Sequence, residues 1–203
     1  MGFSNSSCSF TRFHILDTVP EELWQQIPDR LKRFAFQDID EIPEVQSHGW
    51  VAFGDMLDTS WESAPPQKGA YILFSLRVDT RRIPAGVVKK HLALALREEK
   101  KRTPGKAFIA RDRKQEIKEQ VLLRLRRRFL PVPGTFDTLW HTETHTVWFA
   151  STQDNLLDMF AELFLHSFDL HIGQLTPYEL ASSLLDEESL ICLDRLEPTS
   201  FTQ

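Results

Sequence analysis

Cysteine is almost missing from this chain: Cys8 and Cys192 are the only two in 203 residues. One distant pair cannot build a disulfide framework and no CxxC spacing occurs, so both are expected as reduced thiols of a cytosolic protein. No apolar run reaches the roughly 18–20 residues that a membrane span needs. The opening MGFSNSSCSFTRF has neither the cationic nor the apolar region of a secretory signal. A soluble, cytoplasmic protein without a membrane partner is the expectation. A GxGxxG run, a Walker loop and a Ser/His/Asp arrangement are also lacking. No cofactor and no small-molecule substrate is expected. Basic residues are scarce over most of the length: residues 1–76 hold 5 Lys/Arg against 11 Asp/Glu, and residues 129–203 hold 1 against 12.

The cations are concentrated elsewhere. Residues 77–128 carry 18 Lys/Arg and 6 Asp/Glu, a local net of +12 inside a chain whose total is −5. Net charge alone argues against a polyanion partner. Its distribution argues for one, because a basic segment set between acidic ones creates a local positive field. Hydrophobic residues at 41% and charged residues at 26% suit a folded globular protein.

Periodicity gives the elements. Ser9–Leu16 alternates and is rich in aromatic and β-branched residues, which predicts a strand. Thr18 as cap, Pro20 and two acids predict a helix to about Phe34, with Leu23, Trp24, Ile27, Leu31 and Phe34 on one stripe. A short strand is expected at Gly49–Phe53, a loop over 54–69 and a strand at Ala70–Val78. Pro84 opens a helix to Arg102, closed by Thr103-Pro104-Gly105, and a second runs from Ala110 to Phe129. Strands at Phe136–His141 and Thr146–Ala150 flank the turn Thr142–His145. A helix to Ser167, a strand at Leu170–Gln174 and a helix at Pro177–Leu185 follow. Strands and helices do not alternate strictly, so the class is α+β, with antiparallel or mixed sheets, packed helices and a projecting basic helical pair. The expected division is a discontinuous central domain (1–80 and 130–185), a basic helical subdomain (81–129) and an acidic tail (186–203). Trp24 and Trp50 read as core, and Trp61, in a loop, as a contact for a partner.

The two basic helices share one design. At 100° per residue, Lys89, Lys90, Arg97, Lys100 and Lys101 fall within about 120° of arc, opposite Val87, Val88, Leu92 and Ala95. On the second helix Arg113, Arg124, Arg127 and Arg128 cluster beside an apolar stripe of Ile117, Val121, Leu122, Leu125 and Phe129. Each helix is expected to pack by one face and offer cations on the other, a spacing that suits a phosphate backbone. Glu98, Glu99, Glu116 and Glu119 are available as same-helix partners but are outnumbered by the cations.

Two constellations suggest chemistry instead. His141, Glu143 and His145 alternate, as metal ligands on one strand face would. The segment sits at a hairpin turn, which rotates the side chains apart, so no metal site is expected. Asp112 with Glu116 and Lys118 echoes the acid…ExK pattern of metal-dependent nucleases. Here the pattern falls within a helix, where residues two apart face different ways, and the expectation is no catalytic residue. The alternatives are a metal-dependent nuclease, or an electrostatic protein-interaction module.

In order and spacing, the chain resembles the recombination-associated RdgC family. The resemblance is carried by Gly49-Trp50-Val51, by Ile83 to Lys90 (IPAGVVKK), by Lys118 to Leu122 running into Arg126-Arg127-Arg128-Phe129, by Leu139-Trp140-His141 and by Thr146 to Ser151 (TVWFAS). It implies a non-enzymatic, nucleoid-associated protein that binds double-stranded DNA with little sequence preference and restrains recombinase action. It also implies a homodimer, ring-shaped around the duplex, with a basic helical region lining the hole. By position, that region corresponds to Lys89–Arg102 and Arg111–Arg128, and Phe129 becomes the candidate aromatic contact. Family members carry a further C-terminal part that closes one end of the ring, where this sequence has the acidic stretch from Asp186.

Overall fold

Burial alternates residue by residue through Thr11–Ile15 and Thr146–Phe149, which sorts that part of the sheet into a covered and an open face. A computed structural model describes residues 2–3, 5–62, 64–102 and 108–197. The elements are β1 (Thr11–Ile15), α1 (Leu23–Arg33), β2 (Gln46–Ala52), β3 (Gln67–Lys68), β4 (Tyr71–Thr80), α2 (Ala85–Arg102) and α3 (Arg111–Arg126). They continue with β5 (Val132–His141), β6 (Thr146–Phe149), α4 (Asp154–Phe168), β7 (Ile172–Gln174), α5 (Pro177–Leu184) and α6 (Glu187–Asp194). The strands form one sheet in the order β2-β4-β5-β6-β1-β7, with β3 on β4. All of its ladders are antiparallel, and among the described residues parallel pairing is confined to an isolated bridge between Ala35 and Trp50. The class is α+β.

Phe13, Ile15, Trp50, Ile72, Phe74, Leu76, Trp140, Val147 and Phe149 share one side of the sheet and form the core with α1 and α4. From α1 come Leu23, Ile27 and Leu31, four residues apart and so on one stripe; from α4 come Leu156, Phe160, Leu163, Phe164 and Phe168. Phe149 and Phe160 stack with centroids 4.2 Å apart. The Trp50 indole N–H donates to Ser167 Oγ at 2.7 Å, which ties edge strand β2 to α4. Beside it Gly49 is obligatory, since a Cβ there would lie 2.5 Å from the backbone of Phe36. That close approach lets the 34–36 segment pair with β2 through Trp50 N–H to Phe34 O (3.0 Å) and Phe36 N–H to Trp50 O (2.9 Å), so this edge is not left bare.

The opposite face holds buried charge where loops cover it. Arg77 donates two hydrogen bonds to the Asp79 carboxylate, at 2.8 and 2.7 Å, and a third to Met56 O at 3.1 Å. Its guanidinium lies 4.0 Å from the centre of the Phe36 ring. The Asp79 carboxylate raises the Arg77 pKa. Arg81 donates to the carbonyls of Ile39, Asp40, Ile42 and Glu44, between 2.6 and 3.3 Å, and so pins the 39–44 loop. Asp137, also buried, accepts from Ser75 Oγ at 2.9 Å and from Phe3 N–H at 3.0 Å.

Several expectations are corrected. The first helix begins at Leu23 with Glu22 before it, not at a Thr18 cap, because 20–23 closes as a turn through Leu23 N–H to Pro20 O. The 54–69 loop contains β3. The second basic helix ends at Arg126, and Arg127–Phe129 form a turn held by Arg128 and Phe129 N–H groups on Leu125 O. Trp61 is no surface contact: it is 6% exposed. The Asp58 carboxylate accepts from the N–H groups of Ser60 and Trp61, and at a φ of 54° Trp61 turns its ring into the core. The acidic tail is helical in part, as α6, with Asp186 capping it by accepting from Ser189 N–H. Thr103-Pro104-Gly105 and residues 198–203 lie outside the described residues.

Replacing Phe160 by Ala removes the centre of the aromatic layer and should cost about 3–5 kcal/mol. Exposed Phe108→Ala should stay within about 0.5 kcal/mol of the parent. Chemical denaturation of both variants checks the contrast.

Candidate nucleic-acid interface

The antiparallel pairing of β4 with β5 runs from Tyr71–His141 to Thr80–Val132, and α2 and α3 form the connection between those two strands. Both helices therefore leave the sheet at one end as a hairpin. It has its own apolar seam: Ile117, Val121 and Leu125 are buried against Ile83, Val87, Val88, Leu92, Ala95, Leu96 and Phe129. No residue of α2 is buried. A helix of this length closed by so small a seam presents most of its circumference to solvent.

Lys89, Lys90, Arg97, Lys100 and Lys101 are all exposed. Helical geometry turns them to the side of α2 away from the seam. Among the described residues none of the five forms an ion pair. The expected cationic face of α2 is thus assembled and unneutralised.

Of the residues singled out on α3, Arg113 is held elsewhere. Arg113 and Arg124 line a groove of about 310 Å³ along the hairpin, with Arg102, Glu98 and Glu99. Within it Arg113 donates to both oxygens of Glu99, at 2.7 and 3.2 Å, and to Glu116 at 2.8 Å. Those hydrogen bonds raise the Arg113 pKa and lower that of Glu99. Arg113 is a clamp between the helices more than a free cation. Arg127 and Arg128 are exposed in the turn after α3, and Phe129 packs on the seam, where the resemblance had made it a DNA contact.

Two features escaped the sequence reading. Arg102 faces the same groove as Arg113 and Arg124. Asp112, Glu116 and Glu119 project from α3 opposite the seam, so the hairpin is cationic on its α2 side and carries acids on its α3 side. Their i, i+4, i+7 spacing was the available signal.

The fold separates His141 from His145. The turn after β5 leaves His141 against Tyr71, its Nδ1 accepting from Thr144 N–H at 3.1 Å. His145, at a φ of 51°, stacks on Trp24 instead. Among the described residues no group of three or more His, Cys, Asp or Glu is placed to hold a metal ion. No helix among them is long and apolar enough to cross a membrane.

Fold and hairpin together define an α+β protein that projects a cationic helical hairpin from an antiparallel sheet. A family model described as "Putative exonuclease, RdgC" matches residues 11–185, and the chain belongs to the RdgC family. That membership supports a role associated with recombination. A comparison with curated proteins returned no match.

The Glu99–Arg113 clamp should make the hairpin acid-sensitive. Folding lowers the Glu99 pKa, so its stabilisation is present above the ordinary carboxylate pKa and is lost as pH falls through the lowered value. Glu99→Gln should melt earlier than the parent at about pH 7, and the gap should close as pH falls below the ordinary carboxylate range. Helical circular dichroism on heating reads both.

Proposed function

We propose that this protein is a non-catalytic, sequence-tolerant binder of double-stranded DNA that acts in recombination as a homodimer, gripping phosphates through the α2 side of its helical hairpin. The observation that carries this reading is the exposed face of Lys89, Lys90, Arg97, Lys100 and Lys101, free of ion pairs among the described residues. Like charges at helical neighbour spacing repel one another, and a phosphate backbone relieves that repulsion while releasing its condensed counterions. Arg124, Arg127 and Arg128 extend the contact along the flank of the hairpin. The family membership supports the setting in recombination. Lysines and arginines that meet only phosphate carry no base readout, which is the basis for sequence tolerance.

If four to eight of these groups engage phosphate, log K should fall by about 0.9 per phosphate for each tenfold rise in salt. Gel shifts across a salt series, with linear and circular duplexes, measure that slope and show whether a free DNA end is needed. A combined Lys89→Glu, Lys90→Glu, Arg97→Glu, Lys101→Glu variant should lose DNA retention by at least an order of magnitude while keeping its circular dichroism spectrum. Normal binding by that variant, or a flat salt response, would refute the reading. Parallel incubations with Mg²⁺ or Mn²⁺ separate it from a nuclease using Asp112, Glu116 and Lys118, since a binder leaves the DNA uncut. Self-association with no DNA shift would indicate the protein-interaction module.

A further inference from the structure

The face of the sheet turned away from α1 and α4 is open over its centre. One row across it runs Arg12, Trp148, Leu139, Leu73, and the next runs from His14 through His141 and Tyr71 to Lys68. Neither row contains an acid. Phe10, in phase with Arg12, stacks on Trp148 with centroids 5.5 Å apart and planes 14° from parallel. The rings remain accessible, at 42% for Phe10, 38% for Trp148 and 40% for Tyr71. Arg12 and Lys68 are exposed and, among the described residues, form no ion pair. The surrounding acids stand at the rim or below it. Glu143 lies in the β5–β6 turn, Glu179 borders His14 from α5, and Asp137 is buried beneath Phe3.

Solvated sheet faces are ordinarily polar, and an apolar patch kept open marks a partner. Here accessible rings share two rows with the cations Arg12 and Lys68, and neither row holds an acid, which matches the two chemistries of a nucleic-acid strand. Any base offers a π-face to an exposed ring, and its phosphates meet Lys and Arg. With strands about 4.8 Å apart and a rise of about 3.4 Å per residue, Trp148 and Tyr71 stand roughly 12 Å apart, far enough for separate bases. A duplex cannot use these rings, because its bases are stacked on one another.

We propose that this open face is a second nucleic-acid site, specific for unpaired strands, with bases stacking on Trp148 and Tyr71 and phosphates on Arg12 and Lys68. It uses no residue of the hairpin and does not depend on the duplex-binding reading.

Fluorescence anisotropy with labelled oligothymidylate and oligouridylate, beside a duplex, tests it on the full chain. The parent should bind at least one oligomer, and the two arms tell deoxyribose from ribose backbones. A Trp148→Ala, Tyr71→Ala double variant should lose roughly tenfold or more of that affinity, keep duplex affinity within about twofold, and retain its circular dichroism spectrum. Trp148→Phe should keep most of the binding. Arg12→Glu, at an exposed position that threatens no packing, should weaken it as a second check. The hairpin charge reversal should have the opposite selectivity, losing duplex and sparing the oligomers. The proposal is overturned if the parent binds neither oligomer, if the double variant binds as the parent does, or if single-strand and duplex affinities fall together. It is equally overturned if sedimentation shows parent dimers that the double variant dissolves, since the face would then be an interface between copies.

Discussion

Phe149 and Phe160 lie at the centre of an aromatic layer that includes Trp50, Phe74, Trp140, Phe164 and Phe168, and this layer fastens the sheet to α4. Burial of such side chains is the main stabilising term available to a domain of this size. Because the helices that complete the layer lie on one side, the other side of the sheet must manage without a hydrophobic cover. Part of it is roofed by loops held through Arg77 and Arg81, and part stays open with its rings and cations in solvent. The hairpin lies outside this core altogether. It needs a seam of its own, and that seam is just wide enough to hold two helices together while leaving the far side of α2 to its charges.

The electrostatics sort into three environments that net charge does not distinguish. Arg77 and Arg81 belong to the cation-rich segment by sequence, yet both are buried and hold loops in place. Arg113 is committed to two carboxylates. Lys89, Lys90, Arg97, Lys100 and Lys101 form no ion pair among the described residues, and they lie on a single face of α2. The solvent-facing field of α2 is therefore smaller than the segment total of +12 implies, and more directional. A field confined to one side of a projecting hairpin can orient a polyanion, which a uniformly basic surface cannot do.

Much of this was legible in the residues, because helix and strand periods are local properties. The stripe Leu23, Ile27, Leu31, the alternation through Ile72, Phe74 and Leu76, and the segregation of Lys and apolar residues around α2 all follow from spacing alone. What was missed was set by distant partners. Trp61 sits in a segment whose composition says loop, and its burial depends on the Asp58 turn and on a core supplied by other elements. Phe129 could be assigned to the seam or to a ligand until the position of α2 was known. Arg113 looked equivalent to the α2 lysines, and only the packing of the two helices, which sets it against Glu99, separated it from them.

The sequence by itself determined the α+β class, the positions of the two basic helices, which side of each is apolar, and the family. These depend on the order of residue types over a few turns or strand lengths, where neighbouring side chains decide the outcome. Tertiary structure alone decided which charges are spent internally and which face solvent. It also decided that α3 turns acids outward, and that Phe10 and Arg12, Lys68 and Tyr71, and Trp148 come together from three separate stretches of chain on one uncovered face. Pairings such as Glu99 with Arg113 join different helices, and a sheet row gathers residues from strands far apart in sequence, so the period of either segment carries no record of them.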